Sequence, residues 1–347
     1  MSTLPSTAGG QALTPAGTVT HNLGSFDIVI NADPTLAANA PALAAFNRAA
    51  LMWESRISDP ITVTIDADMA PLGPNVLGSA STVLLQGGYN LIRNQMVADA
   101  ADEWDDGIVA SLPTLAQFSA ILPTGFALDG NIATSKANLK AMGFAGLDGL
   151  FGVSDGDITF SNSFAFDFDK SNGISAGQND FEGVAAHEIG HLLGFFSVVD
   201  DIDFILPGTT SEIKPTPLDL FRFRPGAGNN PATAAEFATF PRSLTPGQPE
   251  FFDQINAGLG GSTEVLFATG VDNGDGRQAS HWKDNFGLGI MDPTAGTGEL
   301  LILRPNDLRA MDLIGYDIIQ VPEASTLALL LMGSAVTIGW RRRIAGR

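Results

Sequence analysis

Residues 181–195 read Phe-Glu-Gly-Val-Ala-Ala-His-Glu-Ile-Gly-His-Leu-Leu-Gly-Phe, an apolar stretch that holds two of the four histidines of the chain. His187 and His191 are four residues apart, about 400° around a helix, so both imidazoles leave the same side one turn apart. Two imidazoles placed in this way can bind one zinc ion. Glu188 lies about 100° further round the helix, where it can accept a proton from water at the metal. The stretch therefore predicts a helix that carries a zinc site and a general base.

A catalytic zinc site needs three protein ligands and one open position, so a third ligand must come from elsewhere in the chain. In the longer pattern HExxHxxGxxH the glycine corresponds to Gly194, which is expected to end the helix and let the chain turn back. The third histidine of that pattern would stand at position 197, where the chain has Ser197, a weak neutral donor. The candidate third ligands further along the chain are Asp200, Asp201, Asp203 and His281.

His281 lies in the sequence Ala-Ser-His-Trp-Lys-Asp, ten residues before Met291 in Leu-Gly-Ile-Met-Asp-Pro-Thr. This arrangement resembles the metzincin peptidases, in which a methionine in a tight turn lies beneath the zinc. It is similar to the leishmanolysin-like subgroup, where a long insertion delays the third histidine, here by 90 positions, and a His-Trp pair precedes the Met-turn. The resemblance implies that His281 is the third ligand and Met291 an apolar floor, and the aspartates stay open as the alternative. Some metzincins have a zinc-reaching tyrosine two residues after this methionine, but here that position is Pro293.

The same resemblance implies a zinc-dependent endopeptidase, in which Glu188 takes a proton from the water that attacks a peptide bond of a protein or peptide substrate. Two alternatives stay open. One is an exported matrix or adhesion protein that retains the fold and cleaves nothing, and the other is a hydrolase of a non-peptide ester or amide. Glu188 argues against the first, because a purely structural metal site has no use for a base.

The apolar pattern predicts an α+β fold. Strands are expected at 26–30, 61–65 and 164–168, and helices near 46–57, at 90–104, from Asp180 onward and at 305–314. With the resemblance, this order implies a zincin or metzincin-like twisted mixed sheet with helices, an active-site helix, an irregular lower subdomain and a C-terminal helix. The strand at 164–168, just before the active-site helix, is a candidate edge for an extended substrate peptide.

Three segments are expected along the chain: a flexible leader at 1–25, a metalloprotease domain at 26–318 and a tail at 319–347. The domain divides into an upper part at 26–194 and a lower part at 195–318. The lower part contains many prolines, which break long helices. His21, in the leader, is given no role.

The tail contains 17 uncharged residues at 324–340, preceded by Val-Pro-Glu-Ala-Ser-Thr at 321–326 and followed by Arg341, Arg342 and Arg343. This trio resembles the PEP-CTERM sorting signal of Gram-negative bacteria, which an exosortase processes during export; Ala324 replaces the second proline of the motif. The resemblance implies a transient anchor in the inner membrane, with the arginines in the cytoplasm. It also implies an exported body, which we expect to be found outside the cell or on its surface. A signal peptide is not visible in residues 1–20, so we expect the natural start to lie further upstream.

The composition excludes some partners and some kinds of metal ligand. The net charge is −20, from 18 basic and 38 acidic residues, so a nucleic-acid partner is not expected. The absence of cysteine excludes disulfides and thiolate ligands. Two oxygen-rich clusters could hold calcium but lack the EF-hand spacing, so solvated turns are the default interpretation. The clusters are Asp167, Asp169, Asn172 and Asp180, and Asp272, Asn273 and Asp275.

Overall fold

A computed structural model describes residues 2–3, 25–103, 106–205, 210–252 and 265–319. Its α-helices are α1 (Pro34–Ala37), α2 (Ala40–Glu54), α3 (Tyr89–Asp99), α4 (Lys136–Ala141), α5 (Leu147–Phe151), α6 (Phe181–Leu193), α7 (Val199–Ile205), α8 (Ala234–Thr239) and α9 (Pro305–Leu313). Its strands are β1 (Ser2–Thr3), β2 (Asp27–Ala32), β3 (Thr62–Ala70), β4 (Gly78–Thr82), β5 (Leu84–Gly88), β6 (Ala120–Ile121), β7 (Phe126–Leu128), β8 (Asn131–Ser135), β9 (Gly156–Ser161), β10 (Phe166–Asp167), β11 (Asn179–Asp180), β12 (Ser211–Ile213), β13 (Arg222–Phe223), β14 (Arg242–Ser243), β15 (Phe251–Phe252) and β16 (Val265–Leu266). His21 and the predicted tail from residue 320 onward lie outside the described residues.

The largest sheet has four strands in the order β2, β3, β9, β4. The first three strands run parallel, and β4 runs antiparallel to β9 at the edge of the sheet. The remaining strands form sheets of two or three strands. The predicted mixed α+β architecture is thus confirmed.

Helix α2 packs between the sheet and helix α6. Asn39 caps its N-terminus by accepting a hydrogen bond from the Ala42 backbone, and the face that carries Phe46 and Trp53 is fully buried. The Trp53 indole donates to the carbonyl of Ala186 in α6 at 2.9 Å. Burial of each such aromatic ring contributes about 1.5–3 kcal/mol, so α2 fixes the position of α6 against the sheet.

Helix α6 begins and ends where the sequence predicts. Asp180 caps its N-terminus, since one carboxylate oxygen accepts from the Gly183 N–H at 2.8 Å and the other from the Leu301 N–H at 3.1 Å. Gly194 ends the helix with φ of +130°, a conformation that favours glycine. The Gly194 and Phe195 N–H groups donate to His191 and Gly190 carbonyls, which closes the turn.

The segment after α6 consists of short elements, as predicted, and returns to the sheet through α9. The Tyr316 hydroxyl donates to the Leu193 carbonyl at 2.7 Å, and the Asn138 amide donates to the Ile314 carbonyl at 2.9 Å. The larger of two buried clusters includes residues from Phe26 to Tyr316, so both predicted parts of the domain contribute to it.

Two predictions of local structure are confirmed only in part. Of the strand predicted at 164–168 only β10, Phe166–Asp167, forms, because Phe166 and Phe168 pack their rings on Phe181 at 5.2 and 5.0 Å. Their alternation thus marks an aromatic cluster at the start of α6. The helix predicted at 90–104 ends as α3 at Asp99 and continues as a short 3-10 turn.

Among the described helices, none has the length and apolar character that a membrane span requires. The predicted span at 324–340 lies outside the described residues.

We predict that Gly156→Ala separates β4 from β9. A Cβ at this position would lie 2.2 Å from the Ser81 carbonyl oxygen and 2.9 Å from the Thr82 Cα, so backbone must move. Overpacking of this kind costs about 1–3 kcal/mol. The control is Gly149→Ala on the exposed side of α5, where a Cβ meets nothing within 4 Å. Urea unfolding of both variants is the measurement, and equal midpoints would contradict this packing of β4.

Candidate metal centre

Three imidazole nitrogens converge on one point. His187 and His191 project from α6, and His281 comes from the loop after β16. The Nε2–Nε2 distances are 3.0 Å between His187 and His191, 3.1 Å between His191 and His281, and 3.2 Å between His281 and His187. The structure thus brings together the two histidines of the helix and the preferred third candidate.

Backbone carbonyls orient all three rings. Nδ1 of His187 lies 2.8 Å from the Ile290 oxygen, Nδ1 of His191 lies 2.7 Å from the Phe195 oxygen, and Nδ1 of His281 lies 3.2 Å from the Gln278 oxygen. A carbonyl can only accept, so each Nδ1 carries the proton and each Nε2 presents a lone pair. Three lone pairs directed at one point repel one another unless a cation lies between them.

The donor set fits a tetrahedral metal ion. With a Zn–N distance of about 2.0–2.1 Å, two nitrogens of a regular tetrahedron lie about 3.3 Å apart, close to the distances observed. Burial lowers the pKa of each of the three histidines, and that of His191 to about 3. The imidazoles are therefore neutral at pH 7, the form that binds a metal.

Glu188 lies beside the histidines and beneath the edge strand β4. Its side chain is buried, and burial raises its pKa to about 8, although a hydrogen bond with the Ala80 backbone opposes the rise. A Cβ on Gly78 would lie 2.7 Å from the Glu188 carboxylate, so β4 approaches the carboxylate too closely for a larger residue. A carboxyl group whose pKa is shifted by burial in a cleft is typical of a functional site.

Met291 packs beneath the histidines. It is fully buried, and a Cβ on Gly190 would lie 2.5 Å from its sulfur. Gly190 stands between His187 and His191 on α6, so the thioether fills the space that the missing side chain leaves. The backbone carbonyl of Met291 accepts from the Trp282 backbone N–H at 2.9 Å, which joins the Met291 turn to the residue that follows His281.

Asp307, on α9, holds this turn and was not identified from the sequence. One carboxylate oxygen accepts from the Trp282 indole at 2.8 Å and the Met291 N–H at 3.2 Å. The other accepts from the N–H groups of Ile290 at 2.8 Å and Arg304 at 2.7 Å. Its only sequence signal is its place three residues after Arg304 in the first turn of the predicted helix.

Arg222 holds the other side of the His281 loop and was also missed. The guanidinium is fully buried, pairs with Glu250, and donates to the Ala279 carbonyl at 3.0 Å and the Ala268 carbonyl at 2.9 Å. It also stacks 4.1 Å above the Phe267 ring. These contacts fix the two chain segments that surround His281.

Of the three aspartates proposed as alternative ligands, Asp200 and Asp203 are engaged elsewhere. Asp200 accepts from the Ser280 N–H at 3.0 Å and from the Ala279 N–H, so it holds the two residues that precede His281. Asp203 accepts from the Asp272 and Asn273 N–H groups at 2.8 Å, and Asp201 is exposed. Within the described ranges, the ligand atoms that converge here are those of His187, His191 and His281.

Ser197, at the position where the common metzincin pattern has a histidine, has a structural contact. Its hydroxyl donates to the buried Asp219 carboxylate at 2.6 Å. Asp219 also accepts from the Val198 and Thr216 N–H groups, so it organises the turn after α6.

The two oxygen-rich clusters, for which solvated turns are the default interpretation, use their carboxylates in hydrogen bonds and an ion pair within the chain. Asp167 accepts from the Asp169 N–H at 2.9 Å and the Ser175 N–H at 2.8 Å, and Asp180 caps α6. Asp275 accepts from the Thr269 N–H at 3.1 Å and pairs with Lys283. Neither cluster belongs to the groups of converging ligand atoms found in the described part of the chain.

The centre lies in a cleft of 1040 Å³. The cleft is lined by residues of strand β4, by the loop that carries Thr294, and by His187, Glu188 and His281. Phe164, from the strand predicted to be the edge, contributes to the lining of the same cleft. The arrangement combines three neutral ligands, a carboxyl group and an open approach for a substrate.

We predict that Asp307→Asn weakens the centre without touching a histidine. An amide cannot accept all four hydrogen bonds, since its NH₂ group would face two N–H donors. Loss of such support lowers metal affinity by roughly 10–100-fold, measured by competition with a chromogenic zinc chelator. The control is Asp272→Asn, on an exposed turn. Equal zinc affinity in the two variants would contradict this role.

One comparison with known families gives a match. Residues 320–343 match the family described as PEP-CTERM protein-sorting motif, which confirms the sorting signal predicted for the tail. No curated protein and no solved structure matches the chain. The motif implies recognition by an exosortase-type processing enzyme, and it suggests export with surface association.

Proposed function

We propose that the chain is an exported zinc-dependent endopeptidase with a zincin fold of the metzincin kind. The observation that carries this proposal is the convergence of three neutral Nε2 atoms next to Glu188 in an open cleft. The fold proposal is supported by the antiparallel edge strand above α6, the turn at Gly194 and the methionine packed on Gly190.

His187, His191 and His281 would hold the ion. When bound, zinc would supply Lewis acidity: it lowers the pKa of water and of a neighbouring carboxyl group and polarises the carbonyl of the substrate. Glu188 would take the proton of the attacking water and return it to the amine that leaves. Because Glu188 is buried, this exchange is shielded from bulk water, and a general base of this kind contributes about 10²–10⁴-fold in rate.

Strand β4 is the surface best suited to hold the substrate. Among the described strands its only neighbour in the sheet is β9, so its other edge faces the cleft. An extended peptide can add to such an edge by main-chain hydrogen bonds. This would place a peptide bond alongside Glu188, and it assigns to β4 the role expected from the sequence for residues 164–168.

We predict that two substitutions separate metal binding from hydrolysis in the full-length protein. Glu188→Gln is expected to retain one zinc per chain and to lose at least about 10²-fold in the hydrolysis of casein, because the base is removed and the ligands are not. His281→Ala is expected to lose both zinc and hydrolysis. The readouts are zinc content by plasma mass spectrometry and peptide release.

Asp201→Ala is the control, with circular dichroism to confirm the fold of every variant. If it loses zinc while His281→Ala keeps it, the third ligand is wrong. If the wild type binds zinc but cleaves neither casein nor a peptide library, the non-catalytic matrix or adhesion protein replaces the endopeptidase.

Export by way of the tail is a separate proposal. We infer that residues 324–340 anchor the chain transiently in the inner membrane and that cleavage near the motif releases the body. In a Gram-negative host with an exosortase, the exported protein should then lack the peptides after residue 326, as mass spectrometry of the C-terminus can show. An exported form that still ends at Arg347 would contradict the processing step, and a body protected from external protease would contradict export.

A further inference from the structure

Asp203 is a buried carboxylate that lies outside the group of converging histidine nitrogens. It belongs to α7, and only 3% of its surface is exposed. One carboxylate oxygen accepts from the Asp272 N–H at 2.8 Å. The other accepts from the Asn273 N–H at 2.8 Å and from the Asn273 side-chain amide at 2.9 Å. The carboxylate is therefore satisfied by two neighbouring residues of one distant loop.

This loop, residues 270–278, reads Gly-Val-Asp-Asn-Gly-Asp-Gly-Arg-Gln and closes on itself. The Gly270 N–H donates to the Arg277 carbonyl at 2.9 Å, and the Gly276 N–H donates to the Gly270 carbonyl at 2.9 Å. Gly270 has a φ of +126°, and a Cβ there would lie 2.8 Å from Cγ of Asp203, so this approach requires glycine. The Asp203 carboxylate therefore fixes the position of a closed loop relative to α7.

The 270–278 loop also lines the cleft of the metal centre. Its contribution to the lining is Val271, Gly276, Arg277 and Gln278. Val271 is 52% exposed, and Val76, a second valine in the lining, is 37% exposed. An apolar ligand group that covers such side chains removes apolar surface from water, which favours binding.

The charges of the cleft favour an apolar group over an acidic one. Arg277 is the one lysine or arginine among the described lining residues, and its Nε already donates to Asp284 at 3.0 Å. Glu188 and Asp292 also line the cleft, and the net charge of the chain is −20. These charges oppose an acidic substrate side chain, whereas an apolar side chain meets no such repulsion.

The position of His281 does not depend on Asp203. Asp200 accepts from the N–H groups of Ala279 and Ser280, the two residues that precede His281. Asp203 instead holds the other part of the loop, several residues earlier in the chain. Loss of the Asp203 contacts should therefore displace the cleft lining and leave the third metal ligand in place.

We propose that the 270–278 loop is a substrate-binding surface, in which Val271 contacts an apolar side chain of the bound polypeptide and Asp203 positions the loop. This inference rests on the proposed endopeptidase function, because it takes the cleft as the place where a polypeptide lies. It goes further by naming the substrate class, which is polypeptides that present an apolar side chain to this loop.

The test uses two variants of the full-length, zinc-loaded protein, each with a matched control. Asp203→Asn turns an NH₂ group toward an N–H donor of the loop, and Val271→Ser removes the apolar contact at an exposed position. The controls are Asp27→Asn, an exposed carboxylate on the opposite edge strand β2, and Val153→Ser, an exposed valine outside the lining. Because Val271 is exposed, its variant decides the test if Asp203→Asn does not fold.

Both loop variants are expected to keep one zinc per chain. Asp203→Asn should raise KM for casein about tenfold and Val271→Ser about threefold, with kcat within a factor of about two of the wild type. The controls should have the KM of the wild type. A purely structural role for Asp203 would reduce the amount of active protein, and hence the apparent kcat, without raising KM.

A decapeptide library tests the substrate class. The wild type is expected to prefer an apolar residue at one fixed position relative to the cleaved bond, and Val271→Ser is expected to lose this preference. The cleaved bonds are read by mass spectrometry. A wild-type preference for an acidic residue, or an apolar preference that Val271→Ser retains, would overturn the assignment of Val271.

Binding of fluorescein-labelled casein to the Glu188→Gln protein separates this inference from the hydrolysis itself. The two loop substitutions should weaken binding in this background by the same factors as they raise KM. Unchanged KM and casein binding in both would overturn the loop proposal and leave the endopeptidase intact. If the wild type cleaves nothing but the loop variants weaken casein binding, the loop proposal holds and the endopeptidase is wrong. A wild type that neither cleaves nor binds casein would overturn both, and loss of zinc in Asp203→Asn would overturn the positioning role.

Discussion

The Asp307 carboxylate is the interaction on which the geometry of the centre depends. It collects four N–H donors from three separate places: the indole after His281, the turn at Met291 and the start of its own helix. By accepting these four hydrogen bonds, the carboxylate fixes the position of the Met291 turn relative to α6. The Ile290 carbonyl, in the same turn, orients His187. The last helix thus controls a ring that belongs to a helix more than 100 residues earlier.

The sequence was sufficient for the parts of this centre that are local. The spacing of His187 and His191, the cap at Asp180 and the turn at Gly194 follow from helical geometry within fifteen residues. His281 could be selected because a His-Trp pair and a methionine turn lie together further along the chain. Neither signal requires knowledge of how distant segments pack.

What the sequence did not reveal depends on contacts between distant segments. Strand β4 reads Gly-Ser-Ala-Ser-Thr, which has no apolar alternation, because it lies at the edge of the sheet above a carboxylate rather than over a core. Phe166 and Phe168 show the opposite case, where an alternating pattern serves an aromatic cluster. Asp307 and Arg222 are ordinary charged residues in the sequence, and only burial gives them their roles.

The long separation between His191 and His281 raises the question of how the third ring is held in place. Closing a flexible loop of this length around a metal would cost a few kcal/mol more than using an aspartate close to the helix. This entropic cost would weaken metal binding only if the chain between the two histidines were unfolded in the absence of the ion. Instead, Arg222 fastens the carbonyls of Ala268 and Ala279, and Asp200 accepts from Ser280. Because of these buried contacts, the entropic cost of closing the loop is part of the free energy of folding and not of metal binding. The His281 ring therefore already lies next to the other two rings before a metal binds.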